Sequence, residues 1–259
     1  YFYFLSIKFT LKNNNMKVII LAAGSNSRIA NVASGLPKTL LKIKDTELLK
    51  IILNALIKIN KIKEIIIVIG YKSDLIKQCI KYKYKGKKIR YVSNLNYGDT
   101  NSMFSLWLTK KHIGNEILII NGDTIFPNLF LDDFIKIKTS SLIYVDKNYK
   151  KLTHEDLKVL VNTKDRAIKI GKNIKINHNT YGSPAIYIFR KKDLINFINI
   201  IENDFIKKNK YKYLISKAVN IFASRYELKV YYPTKKYFWI EIDNSKDFNY
   251  AKKMYKKLV

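Results

Sequence analysis

One cysteine, Cys79, stands in a chain of 259 residues. A lone thiol excludes an intrachain disulfide and a cysteine-rich zinc site, and points to a reducing, cytoplasmic setting. No apolar run approaches the roughly 18–20 residues that a bilayer span needs, which excludes a membrane-spanning helix. The three histidines, His112, His154 and His178, lack metal-ligand spacing, and no Ser/His/Asp arrangement is evident. Arginine is scarce as well. Arg28, Arg90, Arg166, Arg190 and Arg225 face 44 lysines in a formal net charge of +29. That charge invites a nucleic-acid reading, but base-edge and phosphate recognition lean on the planar arginine fork. The lysines are spread along the whole chain beside many Ile, Asn and Tyr, as in the coding of an AT-rich genome. A solvated lysine surface is the reading adopted, with neither nucleic acid nor membrane as a partner.

What is present is a core. At 47% hydrophobic residues the chain can bury a substantial interior, and disorder is excluded. Residues 1–15 read as a leader or expression remnant before Met16, with an extra edge strand as the alternative. From Met16, short β-branched runs alternate with helical periods. Val18–Leu21, Glu64–Ile69, Arg90–Ser93 and Glu116–Ile120 read as strands, mostly all apolar and so buried on both faces. Helices are expected near Thr46–Ile59, Ser73–Lys81 and Asn101–His112. Such alternation predicts an α/β fold with a mostly parallel sheet. Later come a helix at Phe130–Lys138, a strand at Ser141–Val145, and a hairpin of Lys158–Asn162 with Arg166–Gly171. Ser183–Phe189 is a further strand, with helices near Lys192–Phe205 and Tyr211–Phe222. Leu228–Tyr232 and Phe238–Ile242 are expected to close the sheet, and Ser245–Leu258 to form a tail helix. Neither repeat nor linker is visible, so residues 16–259 are read as one domain with a β-rich insertion.

The chemistry concentrates after the first strand, in Leu21-Ala22-Ala23-Gly24-Ser25-Asn26-Ser27-Arg28 and then Gly35-Leu36-Pro37-Lys38-Thr39-Leu40-Leu41. Small residues there let the backbone approach a ligand, and their N–H groups can cradle phosphate oxygens. Arg28 and Lys38 add cations that neutralise a triphosphate. A plain glycine turn with two surface cations is the competing reading. Loop, arginine and Pro-Lys-x-Leu-Leu together favour nucleotide binding.

These residues resemble the signature of the nucleotidyltransferases that couple a nucleoside triphosphate to a phosphorylated small molecule. That family includes sugar-1-phosphate nucleotidylyltransferases and the phosphocholine cytidylyltransferases of bacterial surface biosynthesis. Its pattern is Leu-Ala-Ala-Gly-x-Gly-x-Arg followed by Pro-Lys, and Asn26 replaces the second glycine here. Asn is the residue that best tolerates a left-handed backbone after glycine. The resemblance implies a Rossmann-like three-layer α/β/α fold and covers nearly the whole chain from Met16.

Three later segments keep the family's order. Asn121-Gly122-Asp123 ends a buried strand, where ligands of open parallel sheets bind. The resemblance makes Asp123 a magnesium ligand; a turn aspartate is the alternative. Trp239-Ile240-Glu241-Ile242-Asp243 is similar to an aromatic-x-Glu-Ile-Asp stretch whose aspartate is the second ligand. Asp243 is preferred to Glu241, which is assigned to substrate, because only Asp243 lies at the strand tip; a capping role for Asp243-Asn244-Ser245 is compatible with this. Asn94 and Thr100-Asn101-Ser102 resemble the nucleotide pocket of phosphocholine and phosphonate cytidylyltransferases, and imply cytidine. Helix capping is their other reading. Lys172 lies where sugar-phosphate relatives hold substrate phosphate. Trp107, Tyr181, Tyr187 and Trp239 are candidates for an aromatic wall around a quaternary ammonium.

The resemblance thus implies a Mg2+-dependent enzyme, monomeric or homodimeric, joining CTP to phosphocholine or 2-aminoethylphosphonate for surface glycan or lipid decoration. A sugar-1-phosphate acceptor and a catalytically silent nucleotide-binding subunit are the alternatives. A glycosyltransferase is less consistent, because Asn121-Gly122-Asp123 supplies no Asp-x-Asp site.

Overall fold

In the computed structural model, residues 15–25, 27–138, 140–147, 152–235 and 237–257 are described. An eight-stranded sheet runs in the order Lys229–Tyr231, Leu142–Tyr144, Tyr187–Arg190, Glu116–Asn121, Met16–Ala22, Ile62–Ile69, Lys87–Ser93, Lys83–Tyr84. The four central strands from Glu116–Asn121 to Lys87–Ser93 are mutually parallel. Tyr187–Arg190 runs antiparallel to both neighbours, and Lys83–Tyr84 is an antiparallel edge.

The near-continuous apolar runs have a direct cause. Successive side chains of a strand point to opposite faces, and here each face is covered. Val18, Ile20, Ile65 and Ile67 pack with the helices Leu48–Ile57 and Ser73–Ile80 and the tail helix Ser245–Met254. Ile19, Ile66, Val68, Ile117 and Ile119 pack with Ser102–Leu108, Lys191–Ile200 and Ile215–Arg225. The result is the three-layer α/β/α arrangement expected. At the starting ends of the parallel strands, Glu64 pairs with Lys17 and Arg90, while Glu116 pairs with Lys61 and Arg190. The opposite ends are left for the cleft. No helix among the described residues is long and apolar enough to cross a membrane.

Several expected boundaries are corrected. Ser183–Phe189 is not one strand. Thr180–Gly182 belongs to a separate three-stranded sheet with Lys158–Val161 and Ala167–Gly171, and Tyr187–Arg190 belongs to the main sheet. Pro184 between them lacks a ladder N–H, and Ala185 takes a φ of 54°. The Ser183 hydroxyl fixes the crossing by donating to the Tyr144 carbonyl at 2.6 Å. Phe238–Ile242 does not close the main sheet either. Only Ile240–Glu241 is extended, paired antiparallel with Thr124–Ile125 in its own two-stranded ribbon. The first long helix starts at Leu48, because Thr46-Glu47 folds back on Lys42-Ile43. The helix after Asn101 ends at Leu108 rather than His112, and the last helix ends at Met254 before a short 3-10 turn. The hairpin of Lys158–Val161 with Ala167–Gly171 forms as expected. Residues 1–14, and with them nearly all of the segment read as a leader, lie outside the described residues.

Candidate functional site

A cleft opens at the carboxyl ends of the central parallel strands, where backbone polar groups leave the ladder and helices begin. One wall is the loop after Met16–Ala22: Leu21, Ala22, Ala23, Gly24, Ser25 and Arg28 all line it. Asn26, the departure from the family pattern, lies outside the described residues. Two glycines set the close approach of this loop to its neighbours. A Cβ on Gly122 would meet the Leu21 carbonyl at 2.9 Å, and one on Gly70 would meet that of Ala23 at 2.7 Å. Neither position has room for a side chain.

Opposite the loop stand three carboxylates. Asp123 follows Glu116–Asn121 after Gly122, and Glu241 and Asp243 arrive with the ribbon paired with Thr124–Ile125. The Ile242 amide donates to the Asp123 carbonyl at 3.0 Å, which locks the two segments together. One oxygen from each of Asp123, Glu241 and Asp243 falls within 4.8 Å of the others. The sequence reading kept Glu241 out of this set; the geometry brings it in. Its place beside Asp123 comes from the pairing of Ile240–Glu241 with Thr124–Ile125, a ribbon too short to recognise from the sequence pattern.

The electrostatics follow from that crowding. Burial, and then the charges of Asp123 and Asp243, push the Glu241 carboxyl up to about 8. Lys38 answers the negative charge: its Nζ donates to Asp123 Oδ2 at 2.7 Å and to the Ile242 carbonyl at 2.8 Å. Asp243 Oδ1 stands 3.5 Å away. Burial works against the Lys38 charge, but the Asp123 carboxylate outweighs it and raises the Lys38 pKa. Arg28 Nη2 donates to Asp243 Oδ1 at 2.9 Å. Asp123 Oδ1 is buried with no hydrogen-bond partner among the described residues. An orphaned carboxylate oxygen among three hard oxygen donors fits a magnesium-type cation. The last helix is capped by Asn244, with Asp247 completing a capping box, which leaves the Asp243 side chain to the cleft.

The nucleotide-pocket candidates are present and largely engaged. Asn94 is 1% exposed and donates to Thr100 Oγ1 and Ser105 Oγ at 2.9 and 3.0 Å. The Asn101 side chain accepts from the Ser102 amide as an N-cap, and Ser102 Oγ accepts from the Ile215 amide. All four residues line the cleft, as do Gly122 and Lys172, the latter paired with Glu155 at 3.2 Å. The aromatic wall is not assembled. Tyr187 alone of the four lines the cleft, with a buried hydroxyl that has no partner among the described residues. Trp239 donates to Asp146 at 3.1 Å, Trp107 lies under Lys110, and Tyr181 packs edge-on against Tyr232. Each ring has a packing or polar partner away from the cleft. Thr39, the variable position of the Pro-Lys-x-Leu-Leu motif, also lines it, as does the segment Leu214–Ser216, which had no motif to mark it.

Comparison with known proteins agrees with this geometry. Residues 17–152, more than half of the chain, match the family described as Nucleotidyl transferase. The choline-phosphate cytidylyltransferase of Streptococcus pneumoniae is 32% identical over 121 residues, covering 47% of this chain and 51% of that protein. The D-glycero-alpha-D-manno-heptose 1-phosphate guanylyltransferase of Campylobacter jejuni is 32% identical over 111 residues, 43% of this chain and 49% of that protein. Each of these matches spans about half the length of the curated relative. The solved inositol-1-phosphate CTP transferase from T. maritima shares the fold, with a TM-score of 0.78 over 95% of this chain and 97% of that one at 19% identity.

Proposed function

The chain belongs to the nucleotidyl transferase family, and we propose that it is a cytidylyltransferase joining CTP to a small phosphorylated or phosphonate acceptor, phosphocholine first and 2-aminoethylphosphonate next. The observation that carries this reading is the meeting of a small-residue loop, two directed cations and three carboxylates at one cleft. In the reaction an acceptor phosphate or phosphonate oxygen attacks the α-phosphorus of CTP in line. The bond from the α-phosphorus to its bridging oxygen breaks, and that oxygen leaves with its electron pair in pyrophosphate. The nucleophile is already an anion, so no covalent protein intermediate is required, and the protein's task is positioning and charge stabilisation.

Arg28 and Lys38 meet the β,γ-phosphates as charge moves onto pyrophosphate, each exchanging a carboxylate partner for a phosphate one. The backbone from Ala22 to Ser25 cradles the triphosphate, and Asn94 and Thr100–Ser102 fix the loop facing the base. Asp123 and Asp243, joined by Glu241, are the residues to hold Mg2+. When bound, the ion supplies positive charge between acceptor and nucleotide. The likeness to the pneumococcal choline-phosphate cytidylyltransferase supports choline phosphate as acceptor and cytidine as base. A sugar-1-phosphate acceptor is the second reading, favoured by the guanylyltransferase relative.

Pyrophosphate release, measured with each triphosphate against a panel of phosphorylated acceptors, separates the two readings. CTP with phosphocholine or 2-aminoethylphosphonate is expected to turn over fastest. Preference for UTP, dTTP, ATP or GTP with a sugar-1-phosphate would move the protein to the sugar branch.

Metal binding has a pH signature. Glu241 holds its proton more tightly folded than unfolded, so this group favours the fold fully below its ordinary pKa, and the contribution is lost as pH rises through about 8. Mg2+ must displace that proton, so its upward shift of Tm is expected to be larger at pH 8 than at pH 6. Glu241→Gln is expected to flatten that difference. An equal Mg2+ shift at both pH values would remove Glu241 from the cation site.

A further inference from the structure

Lys158 opens the central strand of the three-stranded sheet and is only 2% exposed. Among the described residues no carboxylate pairs with it. Its Nζ donates instead to two main-chain carbonyls, Lys172 O at 2.6 Å and Asp156 O at 3.2 Å. Burying an amine among carbonyls alone is costly, and an apolar residue like its strand neighbours Val159 and Val161 would fill the position without that cost. What only the lysine does is tie together two loops from separate parts of the small sheet. One is the turn Thr153–Asp156, closed by Asp156 Oδ2 accepting from the Thr153 amide and hydroxyl at 2.6 and 2.8 Å. The other is the turn that follows Ala167–Gly171.

Those loops carry the Glu155–Lys172 ion pair, and Lys172 lines the cleft together with Leu157. The Lys172 side chain is 38% exposed and its partner more so, so the pair itself is too solvated to fix anything. The rigid contact is the buried one beneath it. We propose that Lys158 is a positioning residue: by clamping the Lys172 and Asp156 carbonyls it holds Lys172 facing the end of the cleft where the acceptor phosphate enters. The role of Lys172 in this statement rests on the cytidylyltransferase reading; the clamp does not.

The test combines Lys158→Met, Lys172→Met and the double variant. Lys158→Met is expected to raise KM for phosphocholine about tenfold while KM for CTP stays within about twofold. The double variant is expected to be no worse than Lys172→Met alone, because both act through one group. Lys158→Gln, which keeps an N–H donor, is expected to fall between wild type and Lys158→Met, and serves if the methionine variant folds poorly. Equal rises in both KM values, or losses that multiply in the double variant, would overturn the proposal. Amide hydrogen exchange at residues 171–174, read without any substrate, is expected to quicken about tenfold in Lys158→Met and to stay unchanged in Lys172→Met. Unchanged exchange in Lys158→Met would overturn the clamp. If the wild type makes no acceptor-dependent pyrophosphate, the cytidylyltransferase reading fails and the exchange measurement alone decides the clamp.

Discussion

Asp123→Asn and Asp243→Asn are each expected to lower turnover a hundredfold to a thousandfold, about 3–4 kcal/mol of transition-state stabilisation. The melting temperature is expected to move by only a few degrees. The reason for the contrast lies in the cluster. Each carboxylate sits beside two others, so amide replacement relieves like-charge repulsion while it weakens a bond to Lys38 or Arg28. For stability those terms oppose each other. For catalysis they do not, because the charge that would hold a cation is lost outright. Steady-state assays and calorimetry on the same preparations check both halves. Near-wild-type turnover in either variant would take that residue out of the mechanism.

Lys38→Ala and Arg28→Ala are each expected to cost at least about tenfold in kcat/KM, or about 1.4 kcal/mol. Their stabilities are expected to differ. The Lys38 side chain is 16% exposed and bridges Asp123, Asp243 and the Ile242 carbonyl, so its removal leaves the Asp123 carboxylate without its cation and Tm falls. Arg28 is 63% exposed, and its loss is expected to leave Tm nearly unchanged. Lys252→Ala and Lys256→Ala in the exposed last turns of the chain are controls, expected to have almost no effect on either quantity. If the controls impaired catalysis as much as Lys38→Ala, the lysine-rich surface would act as a diffuse field, and no specific phosphate contacts could be assigned.

The central strands were legible because burial on both faces leaves one composition, and Ile65-Ile66-Ile67-Val68 has little else to be. The loop, Asp123 and Asp243 were legible for a related reason: each follows a strand, where polar residues interrupt an apolar run, whereas Lys38, in the short 3-10 turn Lys38–Leu40, was marked by the Pro-Lys motif alone. Elements held by few ladder bonds were not legible. Ser183–Phe189 reads as one extended stretch, but Pro184, which has no N–H to give, and the left-handed Ala185 keep its first residues out of the main sheet, which takes only Tyr187–Arg190. Glu241 looks like the polar side of an alternating strand; its place among the carboxylates comes from pairing with Thr124, more than a hundred residues away. The aromatic wall failed for want of the same information. Ring identity was visible, but the partners that turn Trp239 to Asp146 and Trp107 to Glu202 are long-range.

Label transfer tests the central claim most directly. The protein is incubated with Mg2+, phosphocholine and CTP carrying one label on the α-phosphate and another on the γ-phosphate. The α-label is expected in a new phosphoanhydride with the acceptor and the γ-label in pyrophosphate, with Asp123→Asn reducing both in parallel. Both labels remaining in CTP, with phosphocholine and every other acceptor of the panel, would contradict nucleotidyl transfer at this cleft.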